Sequence, residues 1–98
     1  MTNSLDLLEP NLLLEAIGSY DYYTPSQRLI LQIIVQTSIA GKSKITTAFI
    51  AEKANVSRTA VYKTLKKFIE EGDISFAMNN KTRQRSILLN IDSMGFQN

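Results

Sequence analysis

The chain has 98 residues, of which 44% are hydrophobic and 20% charged, a composition typical of one small globular domain. It contains no cysteine and no histidine, which excludes disulfides, thiol nucleophiles, thiolate or imidazole metal sites and imidazole acid–base chemistry. The formal net charge is +2, and the sequence has neither a glycine-rich phosphate loop nor a close pair of catalytic carboxylates. We therefore expect no enzyme activity, no cofactor and no bound metal.

No secretory signal and no membrane span are predicted. The first basic residue is Arg28, so no charged segment precedes an apolar core. The longest apolar stretch, residues 29–35, is interrupted by Gln32 and is far shorter than a bilayer span. We expect a cytoplasmic protein that does not contact a membrane.

The N-terminal segment, residues 5–17, is rich in leucine. Pro10 suits a first helical turn and Gly18 suits a helix end, so a short helix is predicted over about 10–17. Asp21 and three tyrosines then form a predicted connector over residues 20–23.

A longer helix is predicted to begin at Thr24. Thr24 is a suitable N-cap, Pro25 fits the first helical position and Gln27 completes a capping box. The helix is expected to run to about Ala40 and to end before Gly41.

This predicted helix is apolar around most of its circumference, because its polar side chains form one narrow stripe: Arg28, Gln32 and Gln36. Such a helix must be covered on more than one side. The helices that follow cover one side, and the segment 5–17 covers another, either from the same chain or from a second copy. Intramolecular packing and dimerisation both stay open, and we expect a homodimer through the N-terminal helices.

Two short helices around a tight turn are predicted next. Thr46 or Thr47 caps the first, which ends at about Ala54, residues 55–56 form the turn, and Ser57 caps the second.

On the second helix, Val61, Leu65 and Phe68 have the spacing of a buried face. The opposite face carries mostly polar side chains: Thr59, Tyr62, Lys63, Lys66 and Glu70. Gly72 ends the helix, and the acidic residues Glu70, Glu71 and Asp73 are expected to form a solvated face.

Alternating apolar residues predict strands over 74–78 and 87–91, joined by a polar turn at 79–86. A further short strand is predicted at 42–45. Ten of the eleven basic residues, but only four of the nine acidic ones, lie between positions 42 and 85. This asymmetry indicates a side that faces a polyanion.

The residues Ile50-Ala51, Val56-Ser57-Arg58-Thr59, Val61, Leu65, Phe68 and Glu71-Gly72 together resemble the winged helix-turn-helix superfamily of bacterial DNA-binding proteins. Ile50 and Phe68 stand where the family more often has leucine. Residues 24–45 are also similar to modules of plasmid and phage replication proteins. The resemblance covers about residues 24–91.

The resemblance implies a three-helix core with a β-hairpin wing. Together with the helix predicted at the N-terminus, this gives a mainly α fold of the α+β class. We expect an N-terminal helical extension at 1–23, a winged helix-turn-helix domain at 24–92 and a tail at 93–98. Residues 57–71 become the recognition helix, which enters the major groove of double-stranded DNA, and residues 79–86 become the wing.

By position, the expected DNA-binding residues are Ser57, Arg58, Thr59, Tyr62, Lys63, Lys66, Lys67, Lys81, Arg83 and Arg85. Arg58, Thr59, Tyr62 and Lys63 are candidates for base contacts, although phosphate contacts by Arg58 and Lys63 stay open. Ser57 also serves as a helix cap, and Tyr62 also suits packing against its neighbours. Lys66 and Lys67 are expected on phosphates or facing solvent, and Lys42 and Lys44 could also reach flanking phosphates.

The resulting hypothesis is a sequence-specific regulator of transcription. One alternative is a DNA-binding module for replication initiation or plasmid maintenance. A second is a winged helix that binds another protein, against which the basic bias of residues 42–85 argues.

Overall fold

A computed structural model describes residues 10–90, with side chains from residue 12 onward. Its elements are α1 (Pro10–Gly18), α2 (Pro25–Thr37), β1 (Lys42–Ser43), α3 (Thr47–Ala54), α4 (Arg58–Glu70), β2 (Ile74–Met78) and β3 (Arg85–Leu89). The expected α+β fold, with an extra N-terminal helix and a small sheet, is confirmed. The expectations for residues 1–9 and 91–98 lie outside the described residues. Within 10–90, every helix falls short of the length and apolar content that a membrane crossing requires.

The start of α2 is the predicted capping box. Thr24 Oγ1 accepts a hydrogen bond from the Gln27 backbone N–H at 3.2 Å, and Gln27 Oε1 accepts one from the Thr24 backbone N–H at 3.0 Å. Two of the orphan donors at this helix end are thereby satisfied by local side chains.

The predicted end of α2 at about Ala40 is wrong, because the helix stops at Thr37. The Thr37 hydroxyl donates to the Ile33 carbonyl at 2.8 Å and the Ser38 hydroxyl donates to the Val35 carbonyl at 2.8 Å. Such side-chain bonds compete with helix continuation, and Ser38 is already extended, with φ −82° and ψ 147°. The chain then reverses direction over residues 39–42.

Helix α2 lies at the centre of the core, and α1 of the same chain covers one side of it. Leu13 and Ile17 of α1 are buried in the common core, and Gln32 Nε2 of α2 donates to the Leu14 carbonyl at 3.2 Å. Helices α3 and α4 pack on the other side. On this side, α2 is therefore covered by α1 of its own chain, which is the intramolecular alternative.

The sheet has three antiparallel strands in the order β1-β3-β2, so the expected hairpin gains a third strand. Lys42 of β1 lies opposite Leu88, and Phe76 of β2 lies opposite Ile87. β1 is shorter than the predicted strand 42–45, and β3 begins at Arg85, two residues before the predicted start. β1 and β3 lie far apart in the sequence. The alternation of apolar and polar residues predicts strands, but it does not reveal that these two pair.

The expectation that Asp73 lies on a solvated face is wrong, although Glu70 and Glu71 are exposed. Gly72 has φ +82°, a left-handed conformation that turns the chain under the end of α4. The Asp73 backbone N–H donates to the Phe68 carbonyl at 2.9 Å. Its carboxylate is buried and accepts a hydrogen bond from the hydroxyl of Tyr23, a core residue within the expected connector.

Candidate nucleic-acid interface

The turn between α3 and α4 is built from local signals. Asn55 ends α3 in the left-handed conformation, φ 57° and ψ 47°, which asparagine tolerates better than most residues. Val56 packs partly buried against the core. Ser57 Oγ then accepts a hydrogen bond from the Ala60 backbone N–H at 3.0 Å and begins α4. These contacts create the predicted pair of helices around a three-residue turn.

Helix α4 separates a buried face from an exposed one, as predicted. The buried face consists of Val61, Thr64, Leu65 and Phe68. The exposed side chains include five of the ten predicted DNA-binding residues: Arg58, Thr59, Tyr62, Lys63 and Lys66. The fold thus places these five side chains together on the solvent side of one helix, where a ligand as large as a duplex has access.

Two other predicted residues of this helix have different surroundings. Lys67 is partly buried, and its Nζ lies 4.8 Å from the centroid of the Tyr22 ring, which is a cation–π distance. Lys67 therefore lies toward the N-terminal connector and apart from Tyr62 and Lys66. The Ser57 side chain is exposed, but its oxygen already serves as the helix cap.

The wing between β2 and β3 is an ordered turn around Asn79. Asn79 Oδ1 accepts a hydrogen bond from the Lys81 backbone N–H at 2.9 Å, and the Asn79 backbone N–H donates to the Gln84 carbonyl at 2.9 Å. Arg83 adopts the left-handed conformation, with φ 59°. Lys81, Arg83 and Arg85 are all exposed, so the turn and the first residue of β3 present the three predicted wing cations to solvent.

Among the described residues, these cations have no carboxylate close enough to form an ion pair. Within residues 10–90 the one salt bridge joins Arg28 to Asp21, with 3.5 Å between Nη1 and Oδ1. In that part of the chain, no ion pair involves the exposed cations of α4 or of the wing. Cations without protein partners are available to replace the counterions of a polyanion.

An open groove of about 450 Å³ lies between α4, the sheet and the start of α3. Three of its lining residues are basic and come from three parts of the chain: Lys44, Lys66 and Arg85. The sequence predicts Lys44, with Lys42, only as a contact to flanking phosphates and not among the ten main DNA-binding residues. The only local signal for Lys44 is its alternation with Lys42. The pairing of β1 with β3 brings this segment to the groove, and that pairing is a contact between distant parts of the chain.

A family model described as an HTH domain, meaning a helix-turn-helix domain, matches residues 27–77, just over half of the chain. The match includes nearly all of α2, and β1, α3, α4 and most of β2, and it stops before the wing cations. No curated protein and no solved structure matches the chain.

Proposed function

The chain belongs to the helix-turn-helix domain family, a family of DNA-binding domains, and on that premise we propose that it is a sequence-specific regulator of transcription. In this proposal α4 enters the major groove of double-stranded DNA, and the wing, residues 79–86, contacts the backbone or the minor groove. The observation that carries the proposal is the convergence of exposed cations from α4 and the wing, which form no ion pair within residues 10–90. Lys66 and Arg85 line one groove, so both elements face the same side.

The first two turns of α4 are the proposed base-contacting part. Arg58, Thr59, Tyr62 and Lys63 are exposed there, and the N-terminal part of a recognition helix reaches deepest into the groove. An arginine can bind guanine with two hydrogen bonds, and a threonine can contact the thymine methyl group. Lys66 and the wing cations are proposed to contact phosphates, which fix the register of the protein on the duplex.

Lys67 and Ser57 stay in the proposed interface in secondary roles. The cation–π contact with Tyr22 must be released, or Lys67 must act at a distance, for its charge to reach a phosphate. Ser57 contributes chiefly by starting α4 in the correct place, since its oxygen caps the helix.

We propose a homodimer as the DNA-binding form, with α1 and α2 contributing to its interface. Leu12 of α1 is 51% exposed and Leu29 of α2 is 41% exposed, so apolar surface remains on both helices after they pack together. A dimer gains affinity by engaging two half-sites. Sedimentation velocity at tens of micromolar should give a dimer, and Leu12→Glu/Leu29→Glu should give a folded monomer. A monomeric wild type would contradict this part of the proposal.

Selection of bound sequences from a random duplex pool tests the function itself. Enrichment of one motif with two half-sites is expected for a sequence-specific regulator. We propose the cytoplasm as the compartment in which the protein acts. Occupancy of the motif beside promoters supports transcription, whereas repeated copies at a replication origin indicate the replication or plasmid-maintenance alternative. Binding without any enriched motif would contradict sequence-specific recognition.

A further inference from the structure

The groove between α4 and the sheet combines two kinds of surface that a duplex alone does not need. Its floor is closed by Leu65 and Ile87, both of which are buried. Three large apolar side chains line the walls of the groove and remain exposed to solvent: Tyr62 is 60% exposed, and Ile69 and Phe76 are each 41% exposed. The groove is thus an extension of the hydrophobic core that nothing in residues 10–90 covers.

This exposure follows from the register of the sheet. Ile74 and Phe76 lie on the same face of β2, since they are two residues apart. Ile74 is buried beneath the end of α4, whereas Phe76 projects farther along the strand and remains partly exposed. The apolar face of the hairpin is therefore longer than the helix side that covers it.

The rim of the groove is positively charged. Lys44 precedes α3, Lys66 belongs to α4 and Arg85 begins β3, and no carboxylate is among the described lining residues. Thr46 and Thr47, at the start of α3, also line the groove, so the positive end of that helix dipole adds to the potential. A ligand that satisfies this site must combine a negative group with apolar surface.

We propose that this groove binds a small organic anion with a flat apolar body and one carboxylate. The apolar body lies between Tyr62, Ile69 and Phe76, and the carboxylate pairs with the cations of the rim. A volume of about 450 Å³ is within the usual range for small-molecule pockets. This site lies beyond the proposed DNA binding, and it exists whether or not the chain binds DNA.

A regulatory consequence follows if DNA binding also holds. Tyr62, Lys66 and Arg85 belong both to the groove and to the proposed DNA surface. A ligand in the groove therefore occupies side chains that the duplex needs and competes with it. The same anion that fills the groove would release the protein from DNA.

The test is an NMR titration of the full-length ¹⁵N-labelled protein with 2-naphthoate, with the neutral 2-naphthalenemethanol as a matched probe. A probe of about thirteen heavy atoms should bind with a dissociation constant on the order of 1 mM or tighter. We expect amide shifts at Lys66, Ile69 and Phe76, and binding of 2-naphthoate about tenfold tighter than that of the alcohol.

Variants separate the two halves of the site. Lys66→Gln/Arg85→Gln should reduce naphthoate binding about tenfold, to the level of the alcohol, whereas Phe76→Ser should weaken both probes. Lys53→Gln removes an exposed lysine that does not line the groove and should leave both affinities unchanged. Equal binding of the two probes, or shifts confined to other residues, would overturn the proposal.

A competition experiment distinguishes this proposal from the DNA-binding one. Displacement of a labelled duplex by 2-naphthoate, but not by the alcohol, is expected. If the protein binds no duplex but the naphthoate shifts persist, the ligand site stands and the proposed function fails. If duplex shifts the groove residues while naphthoate does not, the groove belongs to DNA alone and the ligand proposal fails.

Discussion

The Tyr23 hydroxyl donates a hydrogen bond to the buried Asp73 carboxylate and joins the connector before α2 to the turn between α4 and β2. The Tyr23 ring also packs on Phe68, with 5.0 Å between ring centroids. Because Asp73 directly follows the end of α4, this contact fixes that helix end against the N-terminal part of the domain. The pair therefore supports the orientation of the helix that carries the proposed DNA-binding face.

Tyr23→Phe should destabilise the fold by about 2 kcal/mol, because it leaves a buried carboxylate without its hydrogen-bond donor. Urea denaturation at neutral pH measures the change. Tyr22→Phe is the matched control, since the Tyr22 side chain is exposed, and it should change the free energy of unfolding by less than about 0.5 kcal/mol. Equal effects of the two substitutions would contradict a structural role for the Tyr23–Asp73 bond.

The penalty of Tyr23→Phe should depend on pH. Burial raises the pKa of Asp73 above its ordinary value of 3.8, the Tyr23 hydrogen bond opposes that rise, and the charge of Glu71 adds to it. A raised pKa in the folded state means that the contribution of Asp73 to stability is full below the unfolded pKa and is lost as the pH rises through the folded pKa. Tyr23→Phe removes the hydrogen bond that lowers the pKa of Asp73, so this pKa rises further. The protein therefore loses more stability as the pH rises.

Urea denaturation of wild type and Tyr23→Phe at about pH 4 and pH 7 checks this sign, since the two values lie near and well above the ordinary pKa of an aspartate. The penalty should be larger at the higher pH. In an Asp73→Asn background the two penalties should become equal, because no charge remains to titrate. A larger penalty at the lower pH would show that the sign is wrong.

Ala40→Asn should stabilise the protein by about 0.5–1 kcal/mol, because Ala40 has φ 54° and asparagine tolerates that conformation better. The turn is a two-residue reversal, in which the Ile39 N–H donates to the Lys42 carbonyl at 2.8 Å and Gly41 also has positive φ, 78°. Asn-Gly is the preferred pair for such a turn. Thermal unfolding should give a Tm higher by about 3–6 °C, and a lower Tm would contradict this backbone assignment.

Local signals account for the elements that the sequence predicted well. The Thr24–Gln27 capping box, the Ser57 cap and the Gly72 helix end each depend on residues a few positions apart, so the sequence displays them directly. The buried and exposed faces of α4 follow from helical periodicity in the same way.

Contacts between distant residues account for what the sequence did not reveal. Tyr23 and Asp73 are 50 positions apart, and the sequence around either residue does not indicate that the two form a hydrogen bond. Lys44 reaches the groove only because β1 pairs with β3, and the exposure of Phe76 depends on where α4 ends above the sheet. These features require the tertiary arrangement, which periodicity and propensity do not specify.

Arg83→Gly should separate stability from DNA affinity. It relieves the left-handed conformation at Arg83, φ 59°, so the free energy of unfolding should stay equal or rise by up to about 1 kcal/mol. The lost charge should weaken duplex binding and reduce the magnitude of the salt slope by about 0.9. Arg83→Lys is the control that keeps the charge and should keep the slope. Unchanged affinity of Arg83→Gly would remove this wing cation from the interface.

The most direct test of the central claim is fluorescence anisotropy with a labelled random-sequence duplex across a salt series. If one protomer neutralises about six to eight phosphates, log affinity should fall against log salt with a slope of about −5 to −7. The variant Arg58→Ala/Lys63→Ala/Lys66→Ala should lose binding. Ser19→Glu/Lys53→Glu lowers the net charge by the same three units at exposed positions outside α1, α2 and the proposed DNA-binding residues, and it should retain much more of the binding. No duplex binding by the folded wild type at low salt, or equal losses in both variants, would contradict the assignment of α4 as the DNA-binding face.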